Sequence, residues 1–432
     1  MNLNNQSESS VQKASTYAWY VLLILTLTQV VNYIDRQVLP PLLPLIKADL
    51  HLSDTSVGLL GTGFMIVHSV MAIPLGILAD RYARRKVIAF GLGFWSVATV
   101  FSGLSGTFNH LMIARAAVGV GEAAYAPAAT SLLSDSFPRK DWAKVIGIFN
   151  LGLVIGGGLG LALGGVLGVN IGWRACFFVV GLPGLLLTMA AWAFREPNRG
   201  GQKEKERHDF TSVLFLPSLW IVILGAASVT FAAGALIHWL PTFVTRCYGV
   251  DTKHAALKLA PIALAGLFGV LSGGYVADWL YKRHPAGRAM SMAIAFLLAA
   301  PFLFWGLYAP TLNQFLFAGF CATFFLSWYH GPVAAIVSEL VPASLRGTAI
   351  AFYMFCIHIL GDTPSPFAVG YLSDYMAAGT TDPAKLADAL RSAMMLCVVT
   401  TALAGIIFVG VIPFLRRTPK EPTNLVPQTV TN

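Results

Sequence analysis

Charge is what this sequence has least of. Asp, Glu, Lys and Arg together make up 11% of its 432 residues, where a water-soluble domain carries about a quarter. Most of the surface must therefore face something other than water. Cysteine is sparse as well. Cys176, Cys247, Cys321, Cys356 and Cys397 are scattered, mostly inside apolar runs, odd in number and without a CxxC or metal-like spacing. They form no disulfide framework or metal site on that pattern and read as small buried hydrophobes. Also missing are a nucleotide-binding loop, a nucleophile elbow, a paired catalytic Asp motif and any His/Glu metal spacing. An enzyme and an ATP-driven pump are both set aside, and no cofactor and no metal is called for.

The formal net charge of +9 raises nucleic acid as a partner. The basic residues, however, sit in short loops between apolar runs and make no basic face. No nucleic-acid partner is expected.

What the chain has in abundance is hydrophobic residues, 56% of the total. A helix crosses a bilayer with about 20 mostly apolar residues, and twelve runs meet that length: 17–45, 56–79, 87–104, 111–133, 145–169, 175–194, 219–244, 257–280, 289–308, 314–340, 348–375 and 389–415. The bilayer is thus the first partner. The polar residues 1–16 lead into an apolar stretch too long for a signal-peptide core and without a small-residue cleavage site, so the first helix is expected to stay as an anchor. With the N-terminus inside, inner segments hold 20 Lys and Arg against 7 in outer loops. That bias places both termini in the cytoplasm.

The longest hydrophilic segment, from Arg195 to Asp209, lies at the middle of the chain and reads as a solvated linker. Three landmarks recur in the same order on either side of it. Gly76–Lys86, with Asp80, Arg81 and Arg84, is echoed by Gly273–Arg283 with Asp278. Ser134-Asp135 is echoed by Ser338-Glu339, and Arg195-Glu196-Pro197 by the basic, Pro-containing tail from Arg416. The expected architecture is all-α and integral to the membrane, with two pseudo-symmetric six-helix bundles. Its parts are a tail 1–16, a bundle 17–194, a cytoplasmic linker 195–212, a bundle 213–415 and a tail 416–432.

Ionisable side chains within membrane helices are costly and mark function. Asp35 and Arg36 are neighbours in the first run and point about 100° apart, so each needs a partner elsewhere. Arg115 and Glu122 of the fourth run lie on one face, about 10 Å apart along the axis. The simplest arrangement crosses these two helices in a shared polar interior. Glu122, among Gly119, Gly121, Ala123 and Ala124, keeps its charge at that depth only beside a cation, so it is the expected proton site, exchanging protons and arginine partners with Asp35. In the eleventh run, His358 and Asp362 share a face, and Pro364 and Pro366 break the ladder beside Ser365. A broken polar helix reads as a gate or cavity wall. His68, His238 and His330 have no spacing partner and read as satisfied buried groups. The glycine-rich fifth run, Gly152 to Gly168, is expected to pack tightly against a neighbour and to offer a smooth face for sliding.

With these residues in view, the chain resembles the major facilitator superfamily over nearly its full length. Gly76-x-Leu78-Ala79-Asp80-Arg81-x-Ala83-Arg84-Arg85 is similar to that superfamily's loop motif, with Asp278 and Lys282/Arg283 as a weaker second copy. The resemblance implies that Gly76, Asp80, Arg81, Arg84 and Asp278 belong to a cytoplasmic latch between the halves. Within the superfamily the chain resembles Spinster proteins, in a bacterial form. The resemblance rests on Asn32-Tyr33-Ile34-Asp35-Arg36, Arg115 with Gly119-Val120-Gly121-Glu122-Ala123, and Arg195-Glu196-Pro197. It rests further on Leu360-Gly361-Asp362 with Ser365-Pro366 and Gly370-Tyr371-Leu372-Ser373-Asp374. The first two stretches are shared with organic anion symporters; the last is more particular to Spinster proteins. It implies a monomeric, proton-coupled transporter of a lysophospholipid or sphingoid phosphate in the inner membrane, working by alternating access. A symporter of a small organic anion such as a hexuronate is the alternative.

Overall fold

The computed structural model describes residues 15–138, 141–194, 216–342 and 345–416, except for the side chains at 80, 81, 143, 415 and 416. Its first half comprises α1 (Thr16–Leu50), α2 (Asp54–Arg81), α3 (Arg84–Gly103), α4 (Phe108–Ala123), α5 (Tyr125–Ser136), α6 (Trp142–Ile171) and α7 (Trp173–Trp192). The second half comprises α8 (Pro217–Tyr248), α9 (Thr252–Arg283), α10 (Gly287–Leu307), α11 (Leu312–Leu326), α12 (His330–Glu339), α13 (Arg346–Ile357), α14 (Ser365–Ala377), α15 (Pro383–Ala393) and α16 (Met395–Arg416). The linker 195–212, the N-terminal tail to residue 14 and the C-terminal tail from 417 lie outside the described residues.

Ten of the crossings are long, apolar stretches of helix. The other two, the fourth (α4–α5) and the eleventh (α13–α14), are interrupted, and these carry Arg115, Glu122, His358 and Asp362. Sequence reading took 111–133 as one helix. The break at Ala124 follows from Pro127, which has no N–H to offer the carbonyl of Ala123. In the eleventh crossing a π turn, His358–Asp362, precedes Pro364 and Pro366. Several helices outrun their apolar runs because polar caps extend them: Asp251 caps α9 from Thr252, where the run begins at 257. The last crossing acquires the short amphipathic α15, begun at Pro383 under an Asp382 cap.

Lipid supplies no hydrophobic drive for helix association, so close approach has to do it. Gly152, Gly156, Gly160 and Gly164 form one ridge of α6 and lie against the carbonyls of Thr26, Val30, Ile34 and Val38 on α1. A Cβ at any of the four would come closer than 3.0 Å to α1. Tight packing is what the glycine-rich run achieves on this face, while Gly157 and Gly158, off the ridge, have nothing within 4 Å.

The halves touch at one end. One apolar cluster runs from the second half into the α1–α2 turn and the starts of α4 and α7, joining Trp239, Phe243 and Leu236 with Leu42, Val57 and Trp173. A second cluster, with Leu25, Trp95, Tyr125 and Phe149, belongs to the first half alone. The hydrogen bonds between described residues of opposite halves all fall on positions 54–62 of α2. The molecule is closed at the Asp54 end and splayed at the other.

Candidate substrate and coupling site

Two ion pairs cross between α1 and α4 at mid-depth. Arg115 donates through Nη1 to Asp35 Oδ1 at 2.9 Å, and both are buried. Thr99 of α3 donates to the other Asp35 oxygen. Beside them Arg36 donates through Nε to Glu122 Oε2 at 2.6 Å. The four residues that sequence reading selected are therefore brought together, each arginine with the carboxylate of the other helix. The pairs differ in access. Asp35 and Arg115 are enclosed on both sides, whereas Arg36 is 22% exposed and covers a Glu122 that is fully buried.

Three further residues complete the site. Phe64 of α2 lies between the two cations, with each guanidinium carbon 5.4 Å from its ring centroid. Tyr33 offers a second ring to Arg36 at 5.6 Å. His68 lies with Nε2 2.6 Å from Arg36 Nη2. A guanidinium can only donate, so His68 accepts there and is neutral. Sequence reading set His68 aside as a lone histidine; its partner comes from another helix, which no spacing along α2 could reveal. Thr99 and Phe64 carried no sequence signal. His238, by contrast, is the satisfied buried group expected, its Nε2 lying 3.1 Å from the Val57 carbonyl.

Several buried polar atoms here have no partner among the described residues: Glu122 Oε1, Arg115 Nε, Asn32 Nδ2, Gln29 Oε1 and Ser69 Oγ. Each represents unused hydrogen-bonding capacity in a region where leaving it unused is costly.

The second half contributes its broken helix. His358 Nδ1 lies 3.0 Å from Asp362 Oδ2, and both side chains are partly exposed. Pro366 cannot donate to the Asp362 carbonyl, and Ser365 Oγ does so instead at 3.0 Å. The turn His358–Asp362 packs against α2, the helix that carries Phe64 and His68, so the polar groups of the two halves lie on packed elements. Among the described residues, no three His, Cys, Asp or Glu side chains gather as a metal site would require.

At the splayed end, the described charged residues of each half pair within that half. Arg84 donates to Asp135 Oδ2 at 2.5 Å and to the Ser131 hydroxyl and carbonyl at 3.0 Å, all within its own half. Asp278 lies 3.5 Å from Arg288, which also pairs with Glu339. An arginine at the start of the third helix and an acid at the end of the fourth thus pair in each half. Arg288 takes the place that Lys282 and Arg283 were expected to hold; Arg283 instead stacks on Trp279 at 3.7 Å. A Cβ on Gly76 would meet nothing within 4 Å. The side chains of Asp80 and Arg81 lie outside the described ones.

The sequence profile of the Major Facilitator Superfamily matches residues 25–361. Human protein spinster homolog 1 is 30% identical over 430 residues, covering 91% of this chain and 80% of that protein. Protein spinster of Drosophila melanogaster is 29% identical over 82% of this chain, which spans 62% of the length of that protein. The sphingosine-1-phosphate transporter SPNS2 of Xenopus tropicalis is 26% identical over 94% of this chain and 83% of that protein. Among solved structures, a bacterial homolog of the human lysosomal transporter Spinster, inward-facing and unoccupied, superposes with a TM-score of 0.86 at 28% identity, covering 94% of this chain and all of that one. The chain belongs to the major facilitator superfamily and, within it, to the Spinster family: it is a multi-pass membrane transporter, not an enzyme.

Proposed function

We propose that this transporter carries an anionic amphipathic lipid, of the lysophospholipid or sphingoid-phosphate class, together with protons. The observation that carries the reading is how Arg36 is shared. Its guanidinium is reachable from between the halves, while the Glu122 it neutralises is buried behind it. An arriving anion competes for that guanidinium. Glu122 is then left charged and enclosed, which is strongly unfavourable unless it takes up a proton. Anion and proton therefore enter the site together. Asp35, held by Arg115 and Thr99, fixes α1 against α3 and α4 while Glu122 changes state. Ile66, Val70, Ile73 and Ile77 form an exposed apolar stripe along α2 that suits an acyl tail, and a related protein bears the name of a sphingosine-1-phosphate transporter.

In this reading the excess of basic residues places the splayed end and both termini in the cytoplasm, in a bacterial inner membrane, with one chain as the working unit. The halves 17–194 and 213–415 rock as bodies joined by 195–212. Gly76, Asp80, Arg81, Arg84 and Asp278 latch the cytoplasmic end in the alternate state, and His358, Asp362 and Ser365 form the wall opposite Arg36. The test is uptake into proteoliposomes of a labelled lysolipid and a labelled hexuronate, with and without an inward proton gradient. Gradient-driven lysolipid uptake that Glu122→Gln uncouples is expected. Hexuronate uptake alone would overturn the cargo, and an unchanged gradient dependence in Glu122→Gln would overturn the coupling site.

A further inference from the structure

Away from the polar site, the outer face of the first half carries a groove of about 400 Å³ between α3 and α4. Phe94, Phe101 and Ile113 stand exposed along its rims. The buried Ala98 and Ala114, with the half-buried Ala117, make its floor. Leu104, Ser105 and His110 line its mouth, where α3 ends and α4 begins. The lining positions recur every three or four residues on each helix, so each helix gives the groove one face. Alanines on the facing sides leave the hollow, and the large side chains flank it.

Its dimensions point to an occupant. The lining stretch from Phe94 to Leu104 rises about 15 Å, half of the roughly 30 Å hydrocarbon core and so the depth of one leaflet. Spread over that length, the volume leaves a channel roughly 6 Å wide, about half the width of a helix with its side chains. It takes a single hydrocarbon chain and not a protein helix. The mouth is where the charge lies. Arg174, 41% exposed, donates through Nη2 to the Ser105 carbonyl at 3.2 Å and through Nη1 to Asp49 at 2.7 Å. Its guanidinium is stacked on Trp173 at 4.2 Å and has further N–H groups to give, in the fork that suits a phosphate. His110, also exposed, bonds through its backbone N–H to the Thr107 hydroxyl at 3.3 Å, and its ring has no hydrogen-bond partner among the described residues.

We propose that this groove binds one acyl chain of an anionic glycerophospholipid from the surrounding bilayer, with the lipid's phosphate at Arg174 and His110. The bound chain lies behind the enclosed ion pair. Ala98 and Ala114, on the floor, are the neighbours of Thr99 and Arg115, which hold Asp35 on the other side of the same two helices. The lipid fills the outside of the helix pair whose inside grips that carboxylate. With the splayed end in the cytoplasm, it is a lipid of the outer leaflet. The site does not depend on which cargo is carried.

The test uses phosphatidylglycerol with a photoreactive diazirine in its acyl chain, in nanodiscs otherwise made of phosphatidylcholine, with crosslinked peptides mapped by mass spectrometry. Crosslinks within 94–117 should saturate as the probe fraction rises, and should fall several-fold when unlabelled phosphatidylglycerol replaces phosphatidylcholine. Ala117→Phe puts a ring into the groove and should cut these crosslinks several-fold. Crosslinks on the other lipid-facing helices should stay at the parent level, which guards against a variant that merely folds poorly. Arg174→Gln combined with His110→Gln should keep the crosslinks but erase the preference for phosphatidylglycerol. Crosslinks that rise in proportion to the probe, resist Ala117→Phe or keep the headgroup preference in the double variant would overturn the site. Their displacement by the lysolipid of the uptake assay would overturn it too, by making the groove a cargo site.

Discussion

Thr62 of α2 occupies a backbone rung of the opposite half, between the Thr363 carbonyl and the Phe367 N–H. Its hydroxyl donates to the first at 2.7 Å and accepts from the second at 3.3 Å. In an unbroken helix those two groups would bond each other. The eleventh crossing is thus completed at the closed end by a side chain from the other half. When the halves separate, the rung is free to close on itself.

That relationship gives Thr62→Val a directional effect. The valine has the same shape but leaves a buried carbonyl and N–H unpaired in the closed form only, at a cost of about 1–3 kcal/mol per group. The open form should gain population accordingly, read as greater labelling of a probe cysteine in the outer part of the inter-half space. Thr62→Ser keeps the hydroxyl and should behave like the parent. Equal labelling in Thr62→Val and parent would mean that the rung is not coupled to closure.

How much of this was legible follows from the range of each interaction. Apolar runs and their length announced twelve crossings, and the resemblance at Asp80–Arg85 and Leu360–Asp374 pointed to the family, because both signals are local. The cross-pairing of Asp35 with Arg115 and Arg36 with Glu122 was inferable because four costly charges in two helices leave few ways to be satisfied. Thr99, Phe64 and His68 were not, since nothing within α2 or α3 marks a residue whose partner stands on α1. Asp54 and Arg246 were hidden for another reason. Each lies at a helix end, where charge needs no explanation, and their pairing appears only when the halves come together. The break at Ala124 is legible in Pro127, although the run stays apolar through it.

Arg36 and Arg115 should separate function from stability. Arg115 is enclosed with Asp35, so Arg115→Ala leaves a buried carboxylate without its cation, at a cost of about 3–5 kcal/mol. A marked fall in thermal midpoint in detergent is expected, with partial recovery in Arg115→Met combined with Asp35→Asn. Arg36→Lys keeps the charge of a partly exposed group but loses the fork that reaches Glu122 and His68 together. Transport should fall at least about tenfold, a change of roughly 1.4 kcal/mol, with the midpoint nearly unchanged. A larger midpoint loss in Arg36→Lys than in Arg115→Ala would reverse the assignment.

The paired arginines at the splayed end should also be unequal. Arg84 is buried and gives three hydrogen bonds to α5, whereas Arg288 and Glu339 are partly exposed. Exposed pairs contribute about 0–1 kcal/mol. Glu339→Gln should therefore leave the thermal midpoint where it is, and Arg84→Ala should lower it clearly. Matching effects would show that the two halves use the pair alike.

The glycine ridge of α6 makes the sharpest steric prediction. Gly156 and Gly160 face α1 carbonyls, and a side chain at either would collide with backbone, which cannot rotate away. Gly156→Leu or Gly160→Leu should force α1 and α6 apart, at a cost of about 1–3 kcal/mol or more for an overpacked contact. Because α1 carries Asp35 and Arg36, displacing it should abolish uptake as well as lower the midpoint. Gly157→Ala and Gly158→Ala place a methyl in open space and should leave both quantities near the parent. If Gly157→Ala or Gly158→Ala stopped transport while the midpoint held, that face would be needed in a second conformation in which another helix comes against it.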